Sequence, residues 1–179
     1  LPLNIFEERY IQMIDYSLSN NRLIGMIQTQ SNKDFFKIGC LGKITNFTET
    51  KEGRYQINLE GIERFKINKL LKNSYKFIIV NGEKINFHKN FNTNSNLNSK
   101  KILQSFKNYL IDKNIKFDTS EFESLDAINL AKIICVISPL DYLTKQMLLE
   151  FNTAADFCDN LISVLEIEIN NSQNSSKIN

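Results

Sequence analysis

Arg54-Tyr55-Gln56-Ile57-Asn58-Leu59 decides how the first half of the chain folds. Apolar Tyr55, Ile57 and Leu59 alternate with polar residues, the period of a strand with one face buried and the other wet. Glu52-Gly53, just upstream, supplies a turn that pairs this strand with the preceding run, Ile38-Gly39-Cys40-Leu41 with Ile44-Thr45-Asn46-Phe47. Downstream, Gly61 interrupts the alternation before Ile62-Glu63-Arg64-Phe65-Lys66-Ile67, which predicts a bulge or a barrel corner. Arg22-Leu23-Ile24-Gly25-Met26-Ile27 and Tyr75-Lys76-Phe77-Ile78-Ile79-Val80 read as further short strands between polar turns. One helix intrudes, with Tyr10, Ile11, Ile14 and Leu18 at helical spacing and Asn20-Asn21 closing it.

Beyond residue 87 the pattern changes. His88 to Ser99 carries asparagine at every second position for much of its length, which favours turns and offers nothing to a core. It reads as a linker over 88–99, separating a β-rich domain at 1–87 from a helical bundle at 100–169. Ile102, Leu103, Phe106, Tyr109 and Leu110 form one amphipathic stripe, and Leu125 to Ile137 is apolar on nearly every side, as a central, most buried helix would be. Ser138-Pro139-Leu140-Asp141 predicts the next helix start, with Ser138 as cap and Leu140, Leu143, Met147, Leu148 and Phe151 facing inward. Thr153-Ala154-Ala155-Asp156 opens a last helix whose inward residues are Phe157, Leu161, Val164 and Leu165. A polar tail over 170–179 is expected to be disordered.

The chain has 179 residues, 42% of them hydrophobic and 23% charged, which suits one domain or two small ones and is too apolar for global disorder. Its net charge of +2 conceals an uneven distribution. Residues 62–117 hold twelve basic and three acidic groups, and residues 118–179 hold three basic and ten acidic. No apolar run approaches the roughly 20 residues of a membrane helix, so a soluble protein is expected. Cys40, Cys135 and Cys158 each sit among apolar neighbours and read as small buried hydrophobes in a reducing cytoplasm.

Catalytic and metal constellations are scarce. His88 is the single histidine, and with no C-x-x-C it leaves a Cys/His zinc site short of ligands. Gly42-Lys43 is followed by Ile44, so no phosphate-binding loop forms there. The carboxylate pairs Glu7-Glu8 and Glu121/Glu123 lie in polar stretches without a motif, and nothing frames Ser99-Lys100 as a nucleophile and base. The chain therefore reads as a non-enzyme with no cofactor and no catalytic or metal residues.

Leu1-Pro2-Leu3-Asn4-Ile5-Phe6-Glu7-Glu8-Arg9-Tyr10 resembles the L-P-L-x-I-F-E-x-R-Y signature of the N-terminal, substrate-binding domain of Lon proteases. Gly61-Ile62-Glu63-Arg64-Phe65 is similar to the family's G-x-x-R-F element. Ser138-Pro139-Leu140 with Lys145-Gln146-Met147-Leu148-Leu149-Glu150 is similar to its C-terminal bundle motif. The similarity covers about residues 1–169, and the family's ATPase and serine–lysine protease domains have no counterpart in the sequence. The strand that precedes the signature in the family is not matched either, which would leave a barrel edge open.

The resemblance implies an α+β chain: an N-terminal PUA-like β-barrel with one inserted helix, followed by a C-terminal helical bundle. It also implies recognition of unfolded or degron-bearing polypeptide, with a protease machine as a further partner. Such binding is expected in an apolar groove near the junction of barrel and bundle, with strand addition to an exposed edge as one mode of contact. The motif residues Phe6, Glu7, Arg9, Tyr10, Gly61, Arg64, Phe65, Lys145, Gln146, Leu149 and Glu150 are expected to act as scaffold. Phe6 and Tyr10 would pack inward, while Glu7 and Arg9 cap or pair locally. The alternative is RNA binding by a PUA-like protein through the basic segment 62–117, where Lys66, Lys69, Lys72, Lys76, Lys84 and Lys89 interleave with Phe65, Tyr75, Phe77 and Phe87.

Overall fold

The alternating stretch forms one long strand that organises the first half of the chain. In a computed structural model, which describes residues 1–30, 34–85 and 97–176, this strand is β4 (Tyr55–Leu71). It is preceded by β1 (Pro2–Ile5), helix α1 (Glu8–Leu18), β2 (Leu23–Met26) and β3 (Ile38–Glu49), and followed by β5 (Ile79–Ile85). All pairings are antiparallel, in the order β1-β4-β3-β2, with β5 joining β4 further along. These pairings do not close the sheet, so the closed barrel expected from sequence is not formed by the described strands. The chain divides into two compact units, Leu1–Asn86 and Phe87–Asn179.

Inside the sheet unit, Gly53 adopts a positive φ of 71° in the turn, and Thr50 N–H donates to the Arg54 carbonyl to close the β3–β4 hairpin. The interruption at Gly61 is a bulge. Leu41 faces Glu63 and Gly42 faces Gly61, which leaves Ile62 as the extra residue. Ile14, Ile24, Ile44, Ile57 and Leu59 make a buried cluster beneath α1, with Leu3, Ile5, Met13, Leu18 and Tyr55 packed around it. Strand β1 escaped the sequence reading because it is only four residues long, although its Leu3 and Ile5 turn inward at strand period.

The expected strand over Tyr75–Val80 begins four residues later, at Ile79. Tyr75 and Phe77 stack at 5.0 Å and both meet the Tyr16 ring of α1, while Lys76 N–H donates to the Gln12 side chain at 2.9 Å. The backbone there serves the helix instead of the ladder. Cys40 also departs from expectation. Alternation along β3 turns Gly39 inward and Cys40 outward, so this thiol is exposed, whereas Cys158 is buried.

The helical unit contains α2 (Ser99–Asp112), a 3-10 turn (Ser120–Ser124), α3 (Ala127–Ile137), α4 (Tyr142–Glu150) and α5 (Ala154–Ser176). The α2 stripe read from sequence is buried in full and packs with Leu130, Ile134, Leu148, Leu161 and Leu165. Two boundaries differ from the sequence reading at the edges of this unit. Ser99 is helical and Asn98 caps α2 by accepting from Lys101 N–H, while most of the expected linker (88–96) lies outside the described residues. Residues 170–176, expected to be disordered, continue α5.

Asp141, not Ser138, caps α4. Its carboxylate accepts from Leu143 and Thr144 N–H at 2.9 and 3.1 Å, since α4 begins at Tyr142 and the residue just before it is the one placed to reach the free N–H groups, and Ser138 instead ends α3 with its N–H on the Ile134 carbonyl. Helix α3 is not buried all round. Ile134 is fully buried, but Val136 is 74% exposed and Ile137 is exposed too. An eleven-residue helix presents several faces, and α2, α4 and α5 cover only some of them.

Candidate functional site

The family-motif residues fall into three local groups, and none assembles a reactive centre. Phe6 lies between β1 and α1 and is 64% exposed, while Tyr10 is exposed in the first turn of α1. Both were expected inside. The inward stripe of α1 runs through Met13, Ile14, Ser17 and Leu18, and Tyr10 lies at its margin, where the Arg9 guanidinium sits 4.6 Å from the ring centre. Glu7 and Arg9 do pair, at 2.8 Å.

On β4, Phe65 is buried against Gly25, where an added Cβ would stand 2.6 Å from the ring. Its neighbour Arg64 is buried opposite Cys40, and desolvation draws its pKa down to about 10, which leaves it charged at neutral pH. Gly61 meets nothing within 4 Å of an added Cβ. In the helical unit, Lys145 Nζ donates to the Val136 carbonyl at 3.1 Å and ties α4 to the end of α3. Buried Gln146 donates to Glu150 at 2.7 Å, and Leu149 is half-buried.

More informative are large apolar side chains left in solvent, most of which the sequence reading assigned to the core or passed over. In the helical unit, Val136, Ile137, Tyr142, Leu143 and Met147 are all exposed within twelve positions, on elements joined by the Lys145–Val136 hydrogen bond. Leu143 and Met147, one turn apart, share an outward face of α4 although they were expected inside. A second feature follows α2. Asn114 has a φ of 53°, its N–H donates to the Ile111 carbonyl, and the Ile115 N–H reaches back to Leu110 at 2.9 Å. This left-handed helix ending folds Ile115 over Leu110. With Ile111, Phe117 and the stems of Lys107 and Lys116 they line a shallow groove of about 570 Å³.

In the sheet unit, Leu70, Leu71, Tyr75 and Ile78 are exposed around the turn from β4 to β5. The signal was present as Lys69-Leu70-Leu71-Lys72, apolar residues at a strand end that alternation cannot bury together.

Of the aromatics that interleave the basic segment, Tyr75 is exposed but packs on Phe77 and Tyr16. Phe65 and Phe77 are buried, and Phe87 and Lys89 lie outside the described residues. Lys76 pairs with Glu8 and Lys84 with Glu63, both at 2.7 Å. Among the described residues no cluster of three His, Cys, Asp or Glu could hold a metal, and no helix is long and apolar enough to cross a membrane. His88 lies outside the described residues.

Comparison with known proteins gives these surfaces a context. The chain is 26% identical to the Lon protease of Buchnera aphidicola subsp. Acyrthosiphon pisum and 24% identical to that of Buchnera aphidicola subsp. Baizongia pistaciae. Each match covers 94% of this chain but 23% of the relative, so the chain spans about a quarter of their length. A Lon N-terminal domain protein from Xanthomonas campestris shares the fold with a TM-score of 0.68 at 13% identity, over 91% of this chain and 88% of that one. The N-terminal domain of a Mycobacterium avium complex Lon protease does so with a TM-score of 0.62 at 15% identity, over 93% and 90%. The family described as the ATP-dependent protease La (LON) substrate-binding domain matches residues 1–166. The chain belongs to the LON substrate-binding domain family.

Proposed function

We propose that this chain is a non-catalytic polypeptide-recognition module that holds unfolded or degron-bearing protein. The observation that carries the reading is the clustering of exposed large apolar residues in both units of a chain whose family is described by substrate binding. Single surface hydrophobes are ordinary, whereas clustered ones mark surfaces that a partner covers. An unfolded chain differs from a folded one in presenting apolar side chains and unpaired backbone together, and exposed leucines, tyrosines and a methionine match the first of these. The held polypeptide would pass to an ATP-dependent protease, carried on the same chain or on a separate one. Three free thiols suit a reducing compartment such as the cytoplasm.

Photo-crosslinking to a chemically unfolded globular protein tests the reading. Labelling well above that given by a stable helical bundle of similar size is expected, with competition by excess unlabelled unfolded protein. Labelling equal to the inert control overturns it.

A further inference from the structure

Past Lys66, strand β4 runs beyond its partner β3. The β3 ladder ends with Ile38 opposite Lys66 and Ile67 N–H donating to the Lys37 carbonyl at 2.7 Å, while β5 continues alongside through Lys69–Asn81, Leu70–Val80 and Leu71–Ile79. From Asn68 to Leu71 the chain is thus half of a two-stranded arm, and the β3-side edge of that half has no strand partner among the described residues. Successive side chains point to opposite faces, so Leu70 (58% exposed) and Leu71 (38% exposed) place an apolar side chain on each face. Tyr75 and Ile78 add further exposed apolar surface where the arm turns.

Charge on the arm has one sign. From Arg64 to Gly82 there is no aspartate or glutamate, and Arg64, Lys66, Lys69, Lys72 and Lys76 all lie in that span. Arg64 is buried and Lys76 is held by Glu8, whereas Lys69 and Lys72 flank the two leucines in solvent, with no ion pair among the described residues. An unpaired strand edge offers backbone donors and acceptors to another strand, and positive charge beside it selects the sign of what docks.

We propose that this arm binds an extended acidic and apolar polypeptide segment as an added strand. The segment's apolar side chains would lie against Leu70 and Leu71 and its carboxylates beside Lys69 and Lys72. The proposal rests on the polypeptide-recognition reading above and names the substrate class of one of its surfaces. Edge lysines also serve simply to keep strands of other molecules away, which is the competing role to separate.

Fluorescence anisotropy of labelled eight-residue peptides makes the separation. One peptide alternates Glu with Val, its counterpart alternates Lys with Val, and a third is the Glu peptide N-methylated at alternate amides. The full chain should bind the Glu peptide about tenfold or more tighter than the Lys peptide, and the preference should shrink as salt rises. N-methylation should abolish binding by removing ladder donors. Lys69→Glu with Lys72→Glu should erase or invert the preference while melting as the parent does, and Lys51→Glu, an exposed lysine in the β3–β4 turn, should leave it unchanged.

Equal binding of both charged peptides overturns the proposal, as does an unaffected Lys69→Glu/Lys72→Glu variant or one that only begins to self-associate. Capture by anionic phospholipid vesicles without peptide binding also overturns it and points to a membrane surface. Unfolded-protein crosslinking that persists without a preference for acidic peptide refutes this inference alone. Loss of that crosslinking in the parent chain refutes the broader function.

Discussion

In the helical unit, Phe106, Tyr109, Ile134, Leu148, Leu161 and Leu165 interlock at essentially zero exposure, whereas the sheet unit gathers a smaller buried cluster of isoleucines and Leu59 beneath α1. Burying one large aliphatic or aromatic side chain contributes about 1.5–3 kcal/mol, so the bulk of the chain's hydrophobic stabilisation resides in the helices. The sheet unit spends its length differently: β4 extends past its β3 partner and leaves leucines and backbone in water. The proposed function would use both kinds of region, because a surface that binds another chain cannot itself be satisfied.

The largest expected effect sharpens that contrast within one helix. Ile134→Ala removes a fully buried side chain and leaves a cavity, costing about 2–5 kcal/mol, a large share of the roughly 5–15 kcal/mol that holds a domain folded. Val136→Ala, two positions on and exposed, should cost less than about 0.5 kcal/mol. Urea denaturation followed by circular dichroism compares them, and equal losses would mean that α3 is covered on both sides.

In the sheet unit, next in size, the sharpest pair is two glycines on neighbouring strands. A Cβ at Gly39 would stand 2.3 Å from the Met26 carbonyl oxygen, a backbone atom that cannot turn away, so Gly39→Ala should cost about 1–3 kcal/mol. Gly61→Ala meets open space and should change stability by less than about 0.5 kcal/mol, even though Gly61 belongs to the family motif. Melting temperatures of the two variants check this ordering.

A smaller effect is expected at Asn114, whose left-handed backbone closes α2 beside the groove. Asn114→Ala should cost about 1 kcal/mol and Asn114→Gly almost nothing, because alanine keeps the Cβ that crowds a left-handed backbone while losing the amide that eases it, whereas glycine has no Cβ. The same denaturation curves report it.

Smallest is a dependence on acid. Hydrogen bonding from the Asn129 backbone holds the Asp126 carboxyl below its ordinary pKa, and the Thr144 hydroxyl does the same for Asp141, against mild opposition from burial. A depressed folded pKa means that the caps stabilise fully above the unfolded value of about 3.9 and lose that contribution as pH falls through the folded value. Asp126→Asn keeps a capping oxygen without the charge, so its stability should fall less between pH 5 and pH 2 than the parent's, as read from melting curves across that range.

Much of this was legible in the sequence where a single physical signal dominated. Alternation at Tyr55, Ile57 and Leu59 located β4, Gly61 marked its bulge, and the α2 stripe named its buried residues. Competition between signals defeated the rest. Tyr75 and Phe77 have strand character but pack on Tyr16, Ser138-Pro139 resembles a helix start but yields to Asp141, and Leu143 and Met147 fit an inward stripe that α4 turns outward. The exposed apolar surface was harder still, since an apolar residue that stays exposed looks, in sequence, like one that will be buried.

Hydrogen exchange of the full chain, with and without the alternating Glu–Val peptide, tests the central claim most directly. Without peptide, the slowest amides should lie in α2, α3 and α5, and the amides of Asn68–Leu71 that face away from β5 should exchange quickly. With peptide, the Asn68–Leu71 segment should gain protection while the helical amides keep their rates. Protection appearing only in the helices, or slowest exchange in the β4–β5 arm of the free chain, would contradict the division of labour between the two units.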